Sequence, residues 1–249
     1  MDDDRLRAAK STEQKFISTV EDDRRLGFTG LVAIEDWRDY RGYFTSYRYF
    51  SGFDARKWFI FKPIENKRCQ DLVAKIETEA TVGLHVRFGD FTILPDFYCP
   101  KRSYYLSAIN QLPSNTQILV FSDNHVAARK FLGKLPQPSF HVEGLEAHED
   151  LYLMSKCLHF VCSSSTFSWW GAYLRAPGDG STFFPKDGFL RPGTPRSFEH
   201  AFPDEWIGQS SGLGIWDHYV IRKAWLKVRY RMAVLTGPIR HRIRDWRQK

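Results

Sequence analysis

From Thr81 onward the chain alternates short apolar runs with helix-forming segments, and no other feature of it restricts the fold so tightly. Runs at Thr81–Val86, Gln117–Phe121, Ser139–Val142, His159–Ser163 and Thr182–Phe184 read as strands. Between them, Ser103–Leu112, His125–Leu132, Glu149–Cys157 and Phe167–Arg175 read as helices. Parallel neighbours in a sheet need a long crossover, and a helix supplies it, so the repetition predicts an α/β fold with helices on both faces of a parallel sheet. In such sheets ligands gather beyond the carboxyl ends of the strands.

Three polar clusters stand at those ends. His85-Val86-Arg87-Phe88-Gly89-Asp90 follows the first strand, Ser122-Asp123-Asn124 the second, and Ser163-Ser164-Ser165-Thr166 the fourth. The two-residue period of a strand puts His85 and Arg87 on one face, and Gly89 permits the turn that swings Asp90 to the same mouth. An arginine fork suits phosphate, and Asp123 can accept from a purine's ring N–H and exocyclic amine. The hydroxyl-rich turn opens a helix, whose first N–H groups and dipole make a seat for an anion. Each cluster also has a purely structural reading: an Arg87–Asp90 ion pair, an Asx cap on the next helix, a satisfied core histidine, and a capped helix with Trp169 and Trp170 in the core. Their coincidence at one edge is what favours a site for a nucleoside diphosphate.

Composition sets the frame around this site. Of the 249 residues, 43% are apolar, enough for a packed core. The net charge of +7 is uneven: ten Lys/Arg face only Asp217 and Asp245 beyond residue 210, which leaves the body near neutral and argues against a nucleic-acid binder. Cys69, Cys99, Cys157 and Cys162 form no Cys-x-x-Cys pair and read as buried thiols in a reducing compartment. No apolar run approaches the ~20 residues of a membrane-spanning helix, and the acidic start Met1–Asp4 is unlike a signal peptide. A cytoplasmic protein is the expectation. The acidic runs at 2–4 and 21–23 follow no apolar strand, so no metal site is expected.

Upstream of the sheet, Ser11–Arg25 reads as a helix, Leu31–Ile34 as an apolar run, the aromatic stretch Tyr40–Phe50 as core packing rather than a base-stacking platform, and Ile64–Glu79 as an amphipathic helix. At the other end, Ile215–Leu235 reads as a helix with Tyr219, Trp225 and Val228 in an apolar stripe beside Arg222, Lys223 and Lys227. Tryptophan and tyrosine beside lysine and arginine suit a helix lying on an anionic membrane surface; packing on the body with a solvated basic face is the other reading.

His85-Val-Arg-Phe-Gly-Asp90 resembles the His-x-Arg-Arg-Gly-Asp motif of the bacterial α-1,2-fucosyltransferases, glycosyltransferase family 11. Phe121-Ser-Asp-Asn124 and Ser164-Ser-Thr-Phe-Ser-Trp-Trp-Gly-Ala-Tyr-Leu174 resemble that family's later motifs in the same order, and the likeness runs from about Tyr43 to Ile207. The resemblance implies a GT-B-like scaffold with a Rossmann-type donor lobe. It implies metal-free, inverting transfer of L-fucose from GDP-fucose to the 2-hydroxyl of a galactose-type residue in a glycan. Carried onto this chain, it gives Arg87 to the diphosphate and His85 and Asp123 to guanine and ribose. Ser164, Ser165, Thr166, Phe167 and Ser168 would line the phosphate seat, and Asp90 would deprotonate the acceptor hydroxyl. Two departures qualify it. Phe88 stands where the family has a second arginine, a charge that Arg102 or Lys101 would have to replace. The family's opening Gly-Gly-Leu-Gly-Asn-Gln segment is absent. The expected domains are therefore a shortened acceptor-side lobe at 1–80, a GDP-sugar-binding domain at 81–210 and a basic tail at 211–249. Transfer to another linkage, or a remnant that binds the nucleotide sugar without catalysis, are the alternatives.

Overall fold

The computed structural model describes residues 18–21, 38–41, 46–50, 54–178, 180–194, 200–214 and 219–235. Two compact units divide the chain, residues 1–52 with 196–201 and residues 53–195 with 202–249. In the first, β1 (Ser18–Glu21) pairs in parallel with β2 (Arg38–Arg41), Ser18 opposite Arg38. The helix expected over Ser11–Arg25 is therefore corrected at its described positions: Thr19 and Val20 are β-branched, and a pairing partner lets that preference win. Leu31–Ile34 lies outside the described residues. Ser46 Oγ donates to the His200 carbonyl at 2.8 Å within the same unit.

The second unit carries a six-stranded, wholly parallel sheet. Its strands are β3 (Thr81–Val86), β4 (Gln117–Ser122), β5 (Ser139–His141), β6 (His159–Val161), β7 (Thr182–Pro185) and β8 (Ile207–Gln209). The spatial order is β5-β4-β3-β6-β7-β8. Counted from β3, that is the 3-2-1-4-5-6 order of a doubly wound sheet, whose topological switch point lies between β3 and β6. The expected α/β, Rossmann-type sheet is what forms. The helices are α1 (Lys67–Thr78), α2 (Arg102–Ile109), α3 (His125–Leu132), α4 (Ala147–Lys156), α5 (Thr166–Tyr173) and, at the end of the described chain, α6 (Tyr219–Leu235).

Strand alternation sorts the core into two layers. Val82, Leu84, Val86, Ile118 and Val120 meet Tyr104, Tyr105 and Ile109 of α2 and Leu132 of α3. Leu119, Phe121, Phe160 and Cys162 meet Cys69 and Ile76 of α1, Leu153 and Met154 of α4 and Ala172 of α5. All of these are nearly or fully buried, worth roughly 1.5–3 kcal/mol for each large side chain. Gly83 and His85 belong to the second layer. A Cβ on Gly83 would stand 2.6 Å from the Phe160 ring, so only glycine lets β6 and α4 close over β3.

Candidate functional site

The carboxyl ends of β3, β4 and β6 converge. Val86 is registered opposite Ser122, and Leu84 opposite Val161, so the residues that follow each strand emerge side by side. Arg87, the first residue beyond β3, reaches Asp123 beyond β4 at 3.3 Å and Asp90 of its own turn at 3.1 Å. His85, two residues back, meets Ser163 beyond β6, Nδ1 to Oγ, at 2.9 Å, and its ring packs 5.6 Å from that of Phe167 in α5. All three clusters meet at one rim, on the switch point.

Local chemistry explains each placement. Gly89 has φ of +28°, and a Cβ there would lie 2.7 Å from Asp123 Oδ2, so the turn Gly89–Thr92 needs glycine to let Asp123 approach. Asp123 also accepts from the Phe88 amide at 2.9 Å. Ser122 Oγ donates to the Val86 carbonyl at 2.8 Å and accepts from the Asn124 amide at 3.1 Å; Asn124 then caps α3 by accepting from the Ala127 amide. The helix-cap reading and the site reading of Ser-Asp-Asn thus hold together, divided between Asn124 and Asp123.

The serine run divides in the same way. Ser164 Oγ donates to the Tyr98 carbonyl, and Ser168 Oγ accepts from the Ser163 amide at 2.9 Å, so both hydroxyls are spent inside the fold. Ser165 occupies the N-cap of α5, yet its side chain accepts no capping hydrogen bond. Thr166 at the first helical position is exposed and Phe167 half-buried. What the rim offers an anion is the uncapped start of α5, which follows β6, and the Arg87 guanidinium, which follows the neighbouring β3.

His85 is only 3% exposed; burial, with the Arg87 charge adding to it, pushes its imidazole down to about 3, and it stays neutral beneath the rim. The side chain of Arg87 is 34% exposed and that of Asp90 48%, so both stand at the mouth. Arg87 Nε is buried without an acceptor. Arg102 does not replace the arginine lost to Phe88: its Nε donates to the Leu132 carbonyl at 2.6 Å and another nitrogen to Lys134, the C-terminal end of α3 claiming the cation. Phe88 itself turns into the core, edge-on to Phe131 at 5.6 Å. Sequence reading missed two supports. Ser163 was legible only as part of the serine run, and Tyr98, fully buried with its hydroxyl on the Gly188 carbonyl, carries no local signal at all. Among the described residues no group of three His, Cys, Asp or Glu could hold a metal ion, and no helix is long and apolar enough to cross a membrane.

Comparison with known proteins gives concordant findings. The model of a family described as Glycosyl transferase family 11 matches residues 36–210. An alpha-1,2-colitosyltransferase of Escherichia coli is 29% identical over 181 residues, 68% of this chain and 61% of that protein. The O-antigen biosynthesis glycosyltransferase WbnK of Escherichia coli is 32% identical over 127 residues, 45% of this chain and 40% of its own. A galactoside alpha-(1,2)-fucosyltransferase 2 of Oryctolagus cuniculus is 28% identical over 147 residues, 53% of this chain and 40% of its own. The aligned part thus spans between two-fifths and three-fifths of the length of these relatives.

Proposed function

The chain belongs to glycosyl transferase family 11, and from that premise we propose that it transfers L-fucose from GDP-fucose to the 2-hydroxyl of a galactose-type residue in a glycan. The observation that carries this reading is the meeting of Arg87, Asp123 and the uncapped start of α5 at the switch point of a doubly wound sheet. The relatives named for 1,2-transfer support the linkage.

The diphosphate lies between Arg87 and the first amides of α5. There the guanidinium neutralises the charge that grows on GDP as the glycosidic bond breaks, a preorganised stabilisation that needs no metal. The acceptor hydroxyl attacks the anomeric carbon from the opposite face, inverting it, and gives its proton to Asp90. Asp90 and Asp123 both pair with Arg87, at 3.1 and 3.3 Å. Asp90, the more exposed of the two, is the carboxylate placed to act as base. Asp123 keeps the Phe88 amide and borders guanine and ribose; residues 1–80 would serve the acceptor side. The exposed Lys223 and Lys227 of α6, beside Trp225, support a peripheral contact of the tail with an anionic membrane on the cytoplasmic side.

The test is incubation with GDP-fucose and lactose, with and without EDTA. Fucosylated product in both arms is expected. Loss of turnover in EDTA restored by Mn would overturn the metal-free mechanism. GDP binding without product from any donor, GDP-colitose included, would leave a nucleotide-sugar-binding module. Arg87→Ala should weaken GDP binding by roughly 10- to 150-fold, the worth of a charge-assisted contact of about 1.5–3 kcal/mol; an unchanged affinity would remove Arg87 from the diphosphate.

A further inference from the structure

α6 lies wholly beyond the residues that match the family, yet it reaches back to the rim. Arg222 donates to the Thr92 carbonyl at 2.6 Å, across 130 positions of chain, and its guanidinium lies 5.5 Å from the centroid of the Trp225 ring. Thr92 closes the turn Gly89–Thr92, its hydroxyl donating to the Gly89 carbonyl at 2.8 Å. That same turn presents Asp90 to Arg87 at 3.1 Å and sets the Phe91 ring 5.6 Å from the Arg87 guanidinium. Phe91 packs on Phe97 at 4.6 Å, and the Phe97 carbonyl accepts from Arg191 at 2.9 Å. The loop that orients Arg87 is therefore fastened at Thr92 by α6 and at Phe97 by the segment after β7.

We propose that Arg222 is a positioning residue of the donor site. By fixing Thr92 it holds Asp90 and Phe91 against Arg87, and so makes α6 a working part of nucleotide binding rather than an appendage. The chemistry suits the task. A guanidinium laid against an indole loses little freedom when it bonds a carbonyl, and it stays charged at every relevant pH. Its Nε is buried without an acceptor, so the cation brings positive potential to a rim where Phe88 has removed one. Burial pushes the Cys99 thiol up to about 12, with Asp123 adding to it and Arg191, Arg87 and Arg222 opposing it, so this loop is bordered by three guanidiniums and a carboxylate.

This rests on the donor reading, and the experiment separates the two. GDP affinity is measured for the wild-type protein, Arg222→Ala, Arg222→Lys, Asp90→Asn and the Arg222→Ala/Asp90→Asn pair, each checked for folding by thermal melt. The expectation is a loss of about tenfold for Arg222→Ala, the scale of one charge-assisted hydrogen bond, with Arg222→Lys recovering part of it because an ammonium still reaches Thr92. In the Asp90→Asn background the same change should cost much less, since one of the turn's two holds on Arg87 is already gone. Arg222→Ala that melts lower but binds GDP as tightly as wild type, or full additivity with Asp90→Asn, would overturn the inference alone. A folded wild-type protein that binds no GDP would remove the donor reading and this inference with it.

Discussion

His85 lies beneath the rim rather than on it, and that placement has a consequence for stability. Its imidazole, pushed down from 6.5 to about 3 by burial and the Arg87 charge, binds no proton in the folded state over a range where the unfolded chain does. The unfolded state therefore holds more protons, and stability rises with pH: the contribution is complete above about 6.5 and is lost as pH falls toward 3. Burial lowers His125, His141 and His159 as well, while burial and the Glu149 charge raise Asp150 to about 7, which works against the slope over the same range, so His85 accounts for only part of it. Between pH 7 and pH 4 the urea midpoint of the wild type should fall relative to that of His85→Gln, because the variant lacks the group that the unfolded chain protonates. Equal slopes would mean that His85 is not buried neutral. The sequence placed His85 and Arg87 on one strand face by the period of two. It could not tell which of them the chain would bury, because the answer lies with Ser163 and Phe167, 78 and 82 positions away in the chain.

Elements were more legible than side chains where the pattern was long and capped. α3 runs over His125–Leu132 as its apolar spacing predicts, with Asn124 capping one end and Gly133, at φ of +58°, closing the other. β8 was not legible: Ile207-Gly-Gln209 has no alternation to read, and it becomes a strand only because Phe183, Phe184 and Pro185 offer a free edge. The contact of α4 with α5 was equally hidden. Gly171 sits in the middle of α5, a position where glycine costs helix stability, because a Cβ there would meet Met154 at 2.6 Å from Sδ and 3.0 Å from Cβ. The thioether could bend away; the Cβ cannot. Gly171→Val should lower unfolding free energy by about 1–3 kcal/mol through overpacking, read as a lower urea midpoint at unchanged slope. Gly178→Ala, where nothing lies within 4 Å, should be silent. If both are silent, the two helices do not pack as closely as described.

At the scale of the molecule, the sequence placed the basic tail in one category and the nucleotide site in another, and Arg222 joins them. Charge counting located the tail but could not show which side of the helix faces the protein. In α6 that side carries Arg222 and Leu226, both half-buried. The opposite side shows Val220 at 68% and Val228 at 55% exposure, with Ala224 between them and Lys223 and Lys227 alongside; Trp225, 50% exposed, stands at its border with the Arg222 guanidinium against its ring. An apolar stripe edged by lysines fits a helix lying in the headgroup layer of an anionic bilayer, with roughly 1 kcal/mol from each lysine near the surface and the rest from buried apolar area. The protein should therefore sediment with vesicles rich in phosphatidylserine, less so as salt shortens the screening length, and poorly with neutral ones. Lys223→Glu/Lys227→Glu should lower vesicle affinity by about tenfold or more, with GDP affinity changing less than in Arg222→Ala, since Arg222 is the residue that bonds Thr92 of the rim turn. Equal binding to charged and neutral vesicles, or a double reversal without effect, would assign the exposed stripe to some other contact.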